Sequence, residues 1–286
     1  MQRYAVYGDL GLRDSIALVT ALSAKEIGFD FIEETPALTL ALAARAGRDT
    51  GPFLRTAEGF ILGDLHTILD YLERLHPEPP WRPTSPVRHA CARLLEDWIE
   101  LWLPVWPARA REVLEELSKH LGATGFLLGP TPCRPDGSLA AWLEADVLSD
   151  PELREYLSRH APRLQRYVTD VRSARLTPVA DDAIPLSLVE ILCEIATDYL
   201  SYLEENREAL LAGGDHVEID FGLGTKTVPT WRHCEERRAA LGQELAALPS
   251  GERRSVRQML DPLGLWRTLC LPGAVDPFEL GDPRSF

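Results

Sequence analysis

The chain has 286 residues, 45% of them apolar and 26% charged, enough to bury a core and to form two domains of ordinary size. Its 30 basic and 44 acidic residues give a formal charge of −14, which disfavours a nucleic-acid partner and an anionic membrane surface. No uncharged apolar run reaches the ~18 residues that a membrane-spanning helix needs. The start, Met1-Gln2-Arg3-Tyr4, has no signal-peptide pattern, so a cytoplasmic protein is expected. The five cysteines, Cys91, Cys133, Cys193, Cys234 and Cys270, form no CxxC pair and no zinc spacing, and read as reduced thiols. No metal site is expected, because His233-Cys234 is adjacent rather than ligand-spaced.

In chain order, residues 3–7 alternate and are rich in aromatic and β-branched types, which predicts a strand. A helix follows from Asp14 or Ser15 to about Ile27, with Ile16, Val19 and Leu22 on its apolar face. Phe29–Glu33 alternates as a second strand, and Leu38–Ala44 reads as a short helix closed by a loop at Gly47. Residues 53–56 and 59–62 predict a hairpin turning at Ala57-Glu58-Gly59. A helix over 64–75 ends at His76-Pro77. The order β-α-β-α-β-β-α implies a mixed sheet covered by helices, since a strand–helix–strand start gives a parallel pair and a hairpin an antiparallel one.

The proline-rich stretch from Pro77 to Pro86 reads as a linker. Beyond it the pattern is helical to about Leu211, with a kink or break at Pro104 and Pro107 in the helix holding Trp98, Trp102 and Trp106. Residues 216–221 and 225–228 predict a second hairpin. Gly222-Leu223-Gly224 between them has no third glycine to make a dinucleotide fingerprint, so a turn is expected. Helices over 231–247 and 251–260 precede an extended tail after Pro272.

Several stretches resemble the glutathione S-transferase superfamily. The most specific is Gly51-Pro52-Phe53-Leu54, then Glu58-Gly59, then Leu62-Gly63-Asp64-Leu65-His66-Thr67-Ile68-Leu69-Asp70-Tyr71-Leu72, closed by His76-Pro77. A second, Cys133-Arg134-Pro135-Asp136 running into Leu139-Ala140-Ala141-Trp142, is similar to the family's capped buried helix. Cys133 stands where a hydroxyl completes the cap, so a weaker cap is expected. Ala161-Pro162-Arg163-Leu164 with Tyr167-Val168 is the third. The resemblance covers about residues 4–172 and implies an α/β thioredoxin-like N-terminal domain, 1–77, and an all-α C-terminal domain, 87–286, with an atypical extension from about 177.

The resemblance also implies a glutathione site. Pro52 would follow a cis bond and turn the Gly51 backbone toward the ligand's cysteinyl part. Asp64 would receive the γ-glutamyl amine at a helix N-terminus, where a carboxylate ligand is also favoured; a plain N-cap explains Asp64 equally well. Leu65 stands where relatives carry a hydroxyl. The thiol needs a donor that stabilises its ionised form. The usual Ser or Cys position aligns with Leu12, which leaves Tyr7, Ser15 or neither. Arg13 or Arg55 would compensate at a ligand carboxylate. Leu12, Trp98 and Trp102 are candidates for the wall of an apolar pocket, although core packing explains such a tryptophan stripe as well.

Two functions remain open. One is a homodimeric enzyme using glutathione as co-substrate against a small hydrophobic electrophile, favoured by Pro52, Asp64 and Tyr7. The other is a non-catalytic binding or scaffolding protein with a degenerate glutathione site, favoured by Leu12 and Leu65.

Overall fold

The computed structural model describes residues 3–105, 110–179, 181–220 and 225–274. Trp106, Pro107, the Gly222-Leu223-Gly224 turn and the tail beyond 274 lie outside the described residues. The chain divides into two units, one ending at Pro185 and one beginning at Leu186.

The first unit opens with a four-stranded sheet of order β2-β1-β3-β4. Strand β1 (Tyr4–Gly8) runs parallel to β2 (Phe29–Glu33) and antiparallel to β3 (Phe53–Arg55), which pairs antiparallel with β4 (Ile61–Gly63). The sheet is mixed, as the element order predicts. Helix α1 (Arg13–Ala24) joins the parallel pair. Helix α2 (Pro36–Ala46) starts on Thr35, whose side chain accepts from the Leu38 N–H, and stops at Gly47 with φ 68°, a left-handed cap that glycine adopts without a Cβ penalty. One sheet face packs Ala5, Tyr7, Phe53 and Ile61 against Leu42 of α2. Helix α3 (Leu65–Leu75) contacts α1, β3 and β4.

The helical part of this unit begins with α4 (Pro86–Asp97), which runs into a π-helical turn, Trp98–Trp102, and a 3-10 turn, Leu103–Val105. The break falls at Pro104 as expected, since proline removes a helix donor and clashes with the preceding turn. Then come α5 (Ala110–Thr124), α6 (Arg134–Trp142) with a second π-helical turn over Leu143–Val147, α7 (Pro151–His160) and α8 (Pro162–Ser173). Helix α6 is buried at every position and packs on α1, α4 and α8. Asp136 holds its start together: its carboxylate accepts from the backbone N–H of Leu127 at 2.8 Å and of Cys133 at 2.7 Å, from the Cys133 thiol at 3.2 Å, and from the Tyr167 hydroxyl. The cysteine thus contributes as a donor to Asp136.

The helical pattern expected to about Leu211 is interrupted by the loop over 125–133 and, at greater length, after α8. The described residues between Ala174 and Pro185 are not helical, because Pro178 and Pro185 interrupt the apolar periodicity and the intervening backbone bonds elsewhere.

The second unit contains α9 (Leu188–Thr197), α10 (Tyr199–Leu211), the hairpin β5 (His216–Asp220) and β6 (Thr225–Pro229), α11 (Arg232–Ala247), α12 (Ser250–Leu260) and α13 (Leu265–Leu269). The hairpin buries Val217, Ile219 and Val228, and β5 packs on α10. Arg238 is buried with Glu235 and donates to the carbonyls of Thr268, Leu269 and Leu271, closing the end of α13. This short helix escapes sequence periodicity. A Cβ on Gly242 would lie 2.1 Å from the Leu269 carbonyl oxygen, so only glycine lets α11 pass there.

Candidate thiol-peptide site

The residues singled out in the sequence fall into two groups: those that stay near the surface around the starts of α1 and α3, and those that the core takes. The Gly51–Pro52 peptide is cis, and Gly51 is half-buried beside Glu34, with a Cβ there meeting Glu34 Oε1 at 2.3 Å. Asp64 is the N-cap of α3. Its φ of 68° and ψ of 122° are outside the range of ordinary L-residues, a conformation that persists only where surrounding structure holds it. Asp64 Oδ2 accepts from the Thr67 N–H at 2.9 Å and the Thr67 hydroxyl at 2.8 Å. Burial raises the titration of this carboxyl, but the two Thr67 hydrogen bonds, His66 and Arg48 outweigh it and hold it below the ordinary value.

Leu12 caps α1 without a side-chain bond and is 58% exposed. Ser15 is 1% exposed, and its hydroxyl accepts from the Asp9 N–H at 3.2 Å; it serves the β1–α1 loop. Tyr7 is buried in the sheet–α2 cluster. Leu65 is 4% exposed, part of the core and not of a ligand surface. Trp98 and Trp102 are 3% and 1% exposed and pack in the core. Arg13 is committed to the helical layer, donating to the Glu100 carbonyl at 3.2 Å and pairing with Asp146 at 3.3 Å.

A network that sequence reasoning missed links the start of α3 to the helical layer. The Arg134 guanidinium donates to buried Glu96, to Asp70 at 2.5 Å and to Nδ1 of His66. An arginine only donates, so Nδ1 of His66 is an acceptor and its proton sits on Nε2, donated to Glu100 Oε2 at 2.7 Å. Glu100 Oε1 accepts from the Ser138 hydroxyl at 2.7 Å. His66, Glu96 and Glu100 bring ligand atoms within 4.8 Å of one another, and the cation they already surround is the Arg134 guanidinium. Asp14 keeps solvent contact at the start of α1. Desolvation by the surrounding protein raises its titration, Glu100 and Asp64 add to the rise, and His66 and Arg13 oppose it. These contacts join residues 34 to 68 positions apart, and no local motif announces them.

No protein-family model matches the chain, and no curated protein matches it. Solved structures of glutathione S-transferases are similar to it. One, from Rhodospirillum rubrum F11, shares 17% identity over 66% of this chain and 99% of its own, with a TM-score of 0.49. Another, from Methylobacterium radiotolerans and in complex with glutathione sulfonate, shares 20% over 64% and 100%, with a TM-score of 0.47. The Tau class enzyme from mango shares 16% over 66% and 96%, with a TM-score of 0.47. The β2-β1-β3-β4 mixed sheet covered by helices is, on its own topology, a thioredoxin-like α/β fold, and the remainder is mostly helical, with the β5–β6 hairpin inside it.

Proposed function

We propose that this chain is a glutathione S-transferase-like binding protein: it holds glutathione or a closely related γ-glutamyl thiol at the start of α3 and does not ionise the thiol. The observation that carries this reading is the environment of Ser15. Ser15 is 1% exposed and its hydroxyl oxygen lies against the Asp9 N–H of the β1–α1 loop, so burial keeps its O–H from a ligand, while Leu12 at the helix start offers no donor. Nucleophilic use of a thiol needs its ionised form to be stabilised. Tyr7 lies in the apolar cluster under α2. The features that support binding are the Gly51–Pro52 turn and Asp64 with its positive φ, set at a helix N-terminus, where a carboxylate is favoured.

Leu65 turns its side chain into the core and brings no hydroxyl to a ligand carboxylate, so the helix start offers one polar group fewer than the resemblance implies. Weak binding is therefore expected. We further propose an intracellular homodimer, as the resemblance implies. Light scattering at micromolar concentration tests the dimer, and a monomer there counts against it.

Turnover of an aromatic halide in the presence of glutathione tests the missing chemistry. The reading predicts no rate above the uncatalysed one. A clear rate that Tyr7→Phe abolishes would establish the transferase reading with Tyr7 as thiolate stabiliser.

A further inference from the structure

Helix α4 has two candidate caps and uses the distant one. Ser85 is its N-cap by position, with extended φ −78° and ψ 139°, and Pro86 fills the first helical site. A serine so placed normally accepts from the N–H of the second or third helical residue, here Val87 or Arg88. Ser85 makes no side-chain cap bond. Its hydroxyl is buried and without a partner among the described residues, and the residue is only 8% exposed. The Val87 N–H instead donates to Asp182 Oδ1 at 2.8 Å, across 95 positions of sequence.

Asp182 is held there by its neighbours. Arg88 donates to the Ala183 carbonyl at 2.6 Å and lies 3.6 Å from Asp181. The Ala183 N–H turns back onto Asp181 at 3.0 Å. Arg88 also donates to the Leu128 carbonyl, so it stays anchored in the fold if residues 181–183 leave. Ordering these residues costs conformational entropy, and the docked arrangement strands the Ser85 hydroxyl, a penalty that burial makes large.

We propose that Ser85 and Asp182 are alternate caps of α4, and that residues 181–183 exchange between a docked state capped by Asp182 and a released state in which Ser85 takes the Val87 amide. The helix keeps a capped start in both states, so release leaves α4 intact. What changes is the length of free chain between α8 and the second unit, which begins at Leu186. The pair is a conformational device that sets how tightly that connection is tethered.

Hydrogen exchange of single amides on the full chain tests it. In Ser85→Ala the docked state loses a stranded hydroxyl and the released state loses its cap, so exchange at residues 181–184 slows, by roughly five- to tenfold for one cap. In Asp182→Ala those amides exchange faster, while the Val87 amide keeps most of its protection. The double variant loses that protection, by a similar factor. Asp182→Asn, which retains an acceptor oxygen, behaves as wild type. Two results overturn the proposal: unchanged or faster exchange at 181–184 in Ser85→Ala, or loss of Val87 protection in Asp182→Ala as complete as in the double variant. If Asp182→Ala does not fold, the Ser85→Ala result alone decides.

Discussion

Arg134 donates to Nδ1 of His66, and through that contact α6 fixes which nitrogen of the imidazole carries the proton. The ring then donates from Nε2 to Glu100, tying the first turn of α3 to the π-helical turn after α4. Because the Asp64 cap lies two residues earlier, the helical layer positions the candidate ligand site. A nitrogen-resolved NMR spectrum of the neutral protein should show His66 as the Nε2–H tautomer. Arg134→Ala should shift it toward the tautomer mixture of a free histidine.

Removing Arg134 also strands Glu96, which is 1% exposed, and exposes the loss of a buried pair. Breaking such a pair from one side costs about 3–5 kcal/mol. Denaturant unfolding of Arg134→Ala should show a loss of that order, with an unchanged slope if the denatured state is unaffected.

Asp70 carries the acid sensitivity of the same network. Burial raises its titration, but Arg134 and Arg82 outweigh it and hold the carboxyl below 3.8. A group whose folded pKa is depressed stabilises the fold above its unfolded pKa, and that stability disappears as pH falls through the folded value. Asp70→Asn should therefore be less stable than wild type at pH 7, with a gap that narrows below about pH 4. Urea midpoints measured at neutral and acid pH check the narrowing. Asp136 has the opposite sign: burial raises its carboxyl, more than the Leu127, Tyr167 and Cys133 hydrogen bonds lower it, so its contribution diminishes as pH rises through that raised value.

The thiols should separate cleanly in a labelling experiment. Cys193 is exposed, whereas Cys91, Cys133 and Cys234 are buried. Burial, with Asp182 nearby, pushes the Cys91 thiol up to about 12, and burial beside Asp136 raises Cys133 well above its ordinary value. The thiolate is the reactive form. Native protein treated with a maleimide at neutral pH should therefore label Cys193 first, Cys270 more slowly, and the three buried cysteines only on unfolding, as read by peptide mass.

Leu65 shows where reading a site from a chain reaches its limit. Its position at the start of α3 was visible in the sequence, and so was its lack of a hydroxyl. That its side chain belongs to the core follows only from the packing of α3, which buries it to 4% exposure. Leu65→Ser should thus destabilise by about 2–4 kcal/mol, in the range of large-to-small core changes, and thermal unfolding will show whether it does.

The strands and most helices were legible because local periodicity carries them: Phe29–Glu33 is a strand over the residues the alternation marks, and the Asp136 cap sits three residues after Cys133 as the resemblance implies. The cis Gly51–Pro52 bond was anticipated on the same resemblance. Helix α13 was not, because five residues hold no period and Arg238 supplies their closure from another helix. The His66–Arg134–Glu100 links and the Asp182 cap were invisible for the same reason: each depends on residues brought together from far apart.

Under the proposed function a γ-glutamyl thiol binds without ionising. Calorimetric titration of glutathione at a series of pH values from 6 to 9 measures it directly. Binding is expected near the millimolar range, about −4 kcal/mol, with an affinity that stays flat across the window because the bound thiol titrates near its free value of about 8.5. An affinity that climbs severalfold between pH 6 and 8, with proton release on binding, would mean that the site selects the thiolate and would contradict the claim; so would the absence of any binding at millimolar glutathione.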